Sequence, residues 1–364
     1  MVHPAIPEDG LRDWRKIVAK YEAPNLARSV RQIATSIIPY LTLLCAMYLA
    51  LDVSYWITLG LAIPAAGFLT RCFIIAHDCG HGSFFKSRKA NRALGFFAAL
   101  LTFLPSYYWS YEHARHHASA GDLDHRGVGD IWTLTVLEYL SLPRRKRLWY
   151  RVYRNPFFLF GLAPLYVFFV RYRFWLPGDS GRARWSTIKT NAALVAIVIA
   201  ASLTIGFKAY LMIQLPIMIV AGVVGVWLFY VQHQFENAYW ERHGDWSYVR
   251  QALEGSSFYK LPRILQWFSG NIGFHHIHHL SPRIPNYNLQ KCHESHPMFQ
   301  AVRPITLWSS LKSIGYRLWD EERKKLVGFG YVRVFLGKEL ASVPVSARFS
   351  QEADSLAHRV RSRR

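Results

Sequence analysis

Residues Ile33 to Leu51 read I-A-T-S-I-I-P-Y-L-T-L-L-C-A-M-Y-L-A-L, 19 positions without a charge. That length is enough for a helix to cross a hydrocarbon layer about 30 Å thick. Tyr55 to Thr70 is a second uncharged run after a turn that holds Asp52, so the pair reads as a helical hairpin. Asn191 to Phe207 and Leu211 to Val231 repeat the arrangement around a turn containing Lys208. Four crossings follow, at about 33–51, 55–75, 190–207 and 211–231, and the chain reads as an all-α polytopic membrane protein.

Working outward from these runs, two other apolar segments are too short or too broken to span. Ala93 to Trp109 is interrupted by Pro105, and Phe157 to Val170 runs only 14 residues before Arg171. Both are expected to be re-entrant or interfacial. Residues 1–32 then form a cytoplasmic N-terminal arm with no signal-peptide pattern, 33–330 the membrane domain with a helical cap, and 331–364 a polar, basic tail. The four cysteines show no C-x-x-C spacing, which predicts a reducing compartment and no disulfide framework.

The net charge of +21 raises nucleic acid as a partner. The cations are instead distributed by topology: Arg12, Arg15, Lys16, Arg28 and Arg31 precede the first span, and Lys86, Arg88, Lys89 and Arg92 follow the second. Arg144, Arg145, Lys146, Arg147, Arg151 and Arg154 come next, whereas the two hairpin turns hold one lysine between them. By the positive-inside rule both termini face the cytoplasm, most simply across a bacterial inner membrane. No basic stripe stands apart from the membrane flanks, and nucleic-acid binding is excluded on that ground.

Three histidine clusters carry the chemistry. His77 and His81 in H-D-C-G-H are spaced i, i+4; His113, His116 and His117 in H-A-R-H-H are spaced i, i+3, i+4. Asn271 to Tyr287, N-I-G-F-H-H-I-H-H-L-S-P-R-I-P-N-Y, repeats that spacing with His275, His278 and His279, while His276 points about 100° away. Eight imidazoles on three helical faces at ligand spacing predict metal, and they are too many for one ion. Neutral imidazoles with open positions suit redox iron better than magnesium or calcium, so a pair of iron ions is expected. The E-x-x-H repeats of a carboxylate-bridged iron pair are absent.

These three motifs resemble the histidine boxes of the membrane fatty acid desaturases, particularly the bacterial acyl-lipid type related to plant oleate and linoleate desaturases. The likeness extends through F-Y-V-Q-H-Q-F-E (Phe229 to Glu236) and E-G-S-S-F-Y-K-L-P-R-I-L-Q-W (Glu254 to Trp267), and covers roughly residues 40 to 300. It implies a non-haem diiron centre that uses O2 and two electrons to remove two hydrogens from an acyl chain, leaving a cis double bond. It also implies a ninth ligand, His233. An acyl lipid is the expected substrate, and membrane lipids are expected around the spans. A separate ferredoxin, flavodoxin or cytochrome b5-like donor is expected too, since no haem motif or cysteine set is fused to the chain.

His276 is left out of the ligand set, and His3, His125, His243, His293, His296 and His358 read as surface residues. Asp78, Glu112, Asp122, Asp130, Glu236 and Asn271 lie near ligands and are candidate partners for the second imidazole nitrogens. Two other readings compete: a histidine-box hydroxylase or ketolase acting on lipid, carotenoid or alkane, and a divalent-metal transporter.

Overall fold

The computed structural model describes residues 10–127 and 129–342. His3, His358 and the tail beyond residue 342 lie outside them. Six helices position the site: α1 (Leu26–Ala50), α2 (Tyr55–His81), α3 (Ser106–Ser119), α4 (Gly181–Thr204), α5 (Phe207–His233) and α6 (His275–Leu280). Four of these, α1, α2, α4 and α5, are long and apolar enough to cross a membrane. Each extends past at least one end of its uncharged run, because helical hydrogen bonding continues into polar sequence once a cap supports it. The Asn25 side chain accepts from the Arg28 N–H at the start of α1, and Ser180 does the same for Ala183 at the start of α4.

The spans pack through small residues. Ala62, Ala65 and Ala66 of α2 are buried against Tyr40 and Met47 of α1 and Ile213 and Ile217 of α5. Small side chains let helix backbones approach where lipid offers no hydrophobic gain from association. The outer face of α4 leaves Val195, Ile199 and Leu203 exposed, as a lipid-facing helix does. Arg71 follows the uncharged run of α2: it donates to Ser36 Oγ at 3.2 Å and to the Trp267 carbonyl, with its guanidinium 3.7 Å from the Trp267 ring.

The segment from Ala93 to Trp109 breaks into two helices, Arg88–Leu101 and α3, at the turn before Pro105. Phe157–Leu162 forms a π-turn that continues as Ala163–Phe169. Neither segment has a helix of spanning length. Beyond the all-helical frame, two small sheets fasten the cap. Leu134–Thr135 pairs in parallel with Leu318–Asp320, which pairs antiparallel with Lys325–Val327, and Phe258–Lys260 pairs in parallel with Pro304–Thr306. Their strands are two or three residues long, too short to leave an alternating pattern in the sequence. The folded part also runs past residue 330: helix Tyr331–Ser342 buries Val332 and Phe335 against Tyr139 and Tyr150.

Candidate metal centre

The ends of the helices deliver the histidines. α2 stops at His81 because Gly82 takes the left-handed conformation (φ +72°) and its N–H turns back to the Cys79 carbonyl at 3.1 Å. Gly80 brings α3 close: a Cβ there would lie 2.4 Å from Ser110 Oγ. α5 ends on His233 itself. Helix α6 has six residues and would not persist alone. Its entry is fixed by the Tyr259 N–H to Gly273 carbonyl bond at 2.7 Å, and its exit by the Tyr248 hydroxyl on the His279 carbonyl at 2.6 Å.

Nine imidazoles, gathered from across some two hundred residues of sequence, form two adjoining groups. His77, His81, His113, His117 and His278 make one, and His116, His233, His275 and His279 the other; within each, one nitrogen per ring lies within 4.8 Å of all the rest. The sequence reading put each i, i+3, i+4 triplet on one converging face. The structure corrects it: His113 and His117 enter the first group and His116 the second, while His278 joins the first and His275 and His279 the second. A triplet of that spacing covers a face wide enough to straddle both groups.

Hydrogen bonding shows what the groups require. His116 gives its Nδ1 proton to Asp130 at 2.5 Å, and His233 gives its own to the Gly255 carbonyl at 3.3 Å. A neutral ring carries one proton, so both Nε2 atoms are acceptors, yet they face each other at 3.1 Å. Further Nε2 pairs lie 3.0 Å apart at His233–His275, His77–His113 and His117–His278, and 3.1 Å apart at His113–His117. Buried His81 Nε2 and both nitrogens of His279 have no partner among the described residues. Converging lone pairs repel one another unless a cation lies among them. Burial, reinforced by the neighbouring rings, holds His113, His117, His275, His278 and His279 well below the ordinary imidazole range, which keeps them in the neutral form a metal needs. The donor set fits a pair of metal ions.

Of the six candidate partners, two contact the rings. Asp130 holds His116, and Asp78 holds His77 Nδ1 at 3.2 Å while its other oxygen accepts the Asn286 backbone and side-chain N–H groups, each at 2.7 Å. That carboxylate ties the first box to the P-N-Y end of the third. The others are engaged elsewhere. Glu112 accepts from Arg171 and Tyr172, Asp122 from His125 and His243, and Glu236 from Tyr316 and Lys325, while Asn271 donates to the Asn286 carbonyl. His276 stands outside both groups, its Nε2 3.0 Å from His293 Nδ1. His293, read from sequence as a surface residue, is buried between that ring and Phe258 and Phe274. Exposed His125 and His243 meet on Asp122, and His296 accepts the Met298 N–H.

Beneath the histidines lies an apolar cavity of about 510 Å³. His77, His113 and His275 are at its head; Leu69, Phe73 and Ile74 of α2 and Met218, Gly222 and Gly225 of α5 line its length. Residues 54–308 match the family model described as fatty acid desaturase. The chain belongs to the fatty acid desaturase family. A relative named fatty acid desaturase, from Bacillus subtilis (strain 168), is 50% identical to the desaturase over 318 residues, 87% of this chain and 90% of the relative. Two relatives from Synechocystis are more distant. One, named sn-1 oleoyl-lipid 12-desaturase, is 29% identical over 66% of each chain, and another, named sn-1 acyl-lipid omega-3 desaturase (ferredoxin), is 26% identical over 64% of each. The desaturase is thus an acyl-chain oxidoreductase with a histidine-rich metal centre. The hydroxylase, ketolase and transporter readings find no support here. For transport the ligands are also misplaced, since they sit at helix ends rather than midway along the spans.

Proposed function

We propose that the desaturase holds two iron ions, one among His77, His81, His113, His117 and His278 and one among His116, His233, His275 and His279, and that it places a cis double bond in the acyl chain of a membrane lipid. The observation that carries this is the junction of nine imidazoles with the head of an apolar cavity. Once bound, the metal pair supplies oxidising power from O2 and two electrons, enough to take two hydrogens from neighbouring carbons.

The protein's part is holding and enclosing. Asp130, Asp78 and the Gly255 carbonyl fix ring orientation at Nδ1 of His116, His77 and His233, and so aim each Nε2 inward. Trp109 stacks on His113 at 4.6 Å, and Phe73 and Ile74 keep water from the head of the cavity. An acyl chain is featureless along its length. The position of the double bond therefore depends on how far the chain enters and on what holds its polar end.

The names of the Synechocystis relatives support an acyl lipid as substrate and a ferredoxin as one class of donor. Flavodoxin or a cytochrome b5-like carrier would serve equally by charge, because each is acidic and the flanks of the spans are basic. The charge distribution supports a site on the cytoplasmic side of a bacterial inner membrane, with residues 33–330 as the membrane domain. Expression in a host without desaturases, followed by gas chromatography of its separated lipid classes, tests the reading. A new cis-unsaturated chain on glycerolipid is expected, with none from His278→Ala although that variant still inserts. A hydroxylated product, or an active and iron-replete His278→Ala, would overturn it.

A further inference from the structure

Five residues past the second box, the chain builds another donor cluster that shares no residue with the nine histidines. Asp122 is 3% exposed, and its Oδ1 accepts the N–H groups of Asp124 at 3.0 Å and His125 at 3.3 Å, which leaves Oδ2 aimed outward. His125 Nδ1 lies 2.9 Å and His243 Nδ1 2.7 Å from that one oxygen, and the two ring centroids are 4.4 Å apart. The three donor atoms all fall within 4.8 Å of one another. The backbones beneath are locked together: Glu241 N–H bonds the Gly121 carbonyl, and Leu123 N–H the Glu241 carbonyl, each at 2.9 Å. Asp124 accepts the His243 N–H at 2.9 Å and Arg242 Nη1 at 2.7 Å, so it is not free to join as a ligand.

We propose that Asp122, His125 and His243 form a surface site for a divalent first-row cation, zinc by its donor set, which clamps the turn after α3 to the segment after α5. Two imidazoles and one carboxylate with an open side toward water are the three protein ligands plus solvent that zinc accepts. Opening the two N···O separations by about half an ångström admits an ion with donors at about 2.0–2.1 Å. Burial pushes the Asp122 carboxyl up, but the hydrogen bonds from His243 and His125 outweigh it and hold it below the usual carboxylate range, so it is anionic at neutral pH. Binding through Nδ1 would move the single proton of each neutral ring to Nε2, so zinc takes the place of the two Nδ1–H bonds to Asp122 without a net loss of protons. The clamp joins the exits of the helices that carry His116 and His233, whose Nε2 atoms meet in the metal centre.

The test is a zinc titration of the full-length, iron-loaded protein in detergent. One zinc per chain beyond the iron content is expected, with a higher Tm. His125→Gln and His243→Gln change exposed side chains and should fold, keep their iron and lose zinc affinity by at least about tenfold, along with the Tm gain. Zinc uptake unchanged in the double variant, uptake matched by loss of iron, or no uptake at all would each overturn the site and leave Asp122 as a shared hydrogen-bond acceptor.

Discussion

At the residue scale the metal centre is a problem in protons. At His77, His116 and His233 an acceptor faces Nδ1 and keeps the ring's one proton on that outer nitrogen. Asp130 does this for His116, at 9% side-chain exposure and 2.5 Å. Asp130→Ala should weaken metal binding at the second group by about 10- to 100-fold while leaving the fold intact, as read by iron content after dialysis against a chelator. A different pair depends on pH. Burial holds His276 well below its usual value of 6.5 and lowers His293 as well. Below pH 6.5 the unfolded chain takes up protons that the folded one refuses, so stability from this pair is complete above that pH and is lost as pH falls. His293→Gln should flatten the acid side of the Tm–pH curve, by up to about 1.4 kcal/mol per pH unit for one proton. An unchanged slope would remove the pair from the account. The spacing of the histidines revealed which rings to consider. It could not reveal that His276 pairs with His293, because that contact joins α6 to a later helix, Asn286–Glu294.

At the element scale, α5 does two things with one face. Its last residue is His233, and two turns earlier Gly225 lines the cavity, where an added Cβ meets nothing within 4 Å among the described residues. Gly225→Leu should therefore fold and keep its metal but fill part of the cavity. Turnover of long acyl chains should fall by at least about tenfold, with shorter chains less affected, in the range that one or two methylenes are worth in an apolar pocket. Equal loss across chain lengths would mean that the cavity does not hold the chain. The four long helices were readable because a span needs an unbroken apolar run. Their ends were not, since caps such as Asn25 and Gly82 act through local hydrogen bonds outside that run. Helix α6 was visible only as a pattern of rings, because a helix of six residues depends on what packs around it.

At the scale of the whole molecule, charge and burial separate. Cations cluster on either side of the long apolar helices, where they would draw in an acidic electron carrier through long-range attraction. Raising salt should slow turnover with a ferredoxin and leave a small uncharged reductant unaffected, since exposed charges are screened within about 8–10 Å. Equal rates at low and high salt would argue against a basic docking face. Arg154 belongs to another class. Counted among the flanking cations by sequence, it is fully buried and donates to the Gln234 side chain at 2.8 Å and the Tyr316 carbonyl at 2.9 Å. It ties the 316 segment to the residue next to His233.

By itself the chain sequence determined the membrane class, the four long apolar helices and eight of the nine clustered imidazoles, because hydropathy and i, i+3, i+4 spacing are local properties that survive without coordinates; His233 and the family came from the resemblance of whole motifs. The tertiary structure alone decided how those rings divide into two groups, which carboxylates hold them, and that Asp122 and Arg154 serve other contacts. Each of those depends on side chains from helices far apart in sequence meeting at one point, and no local pattern encodes where such lines cross.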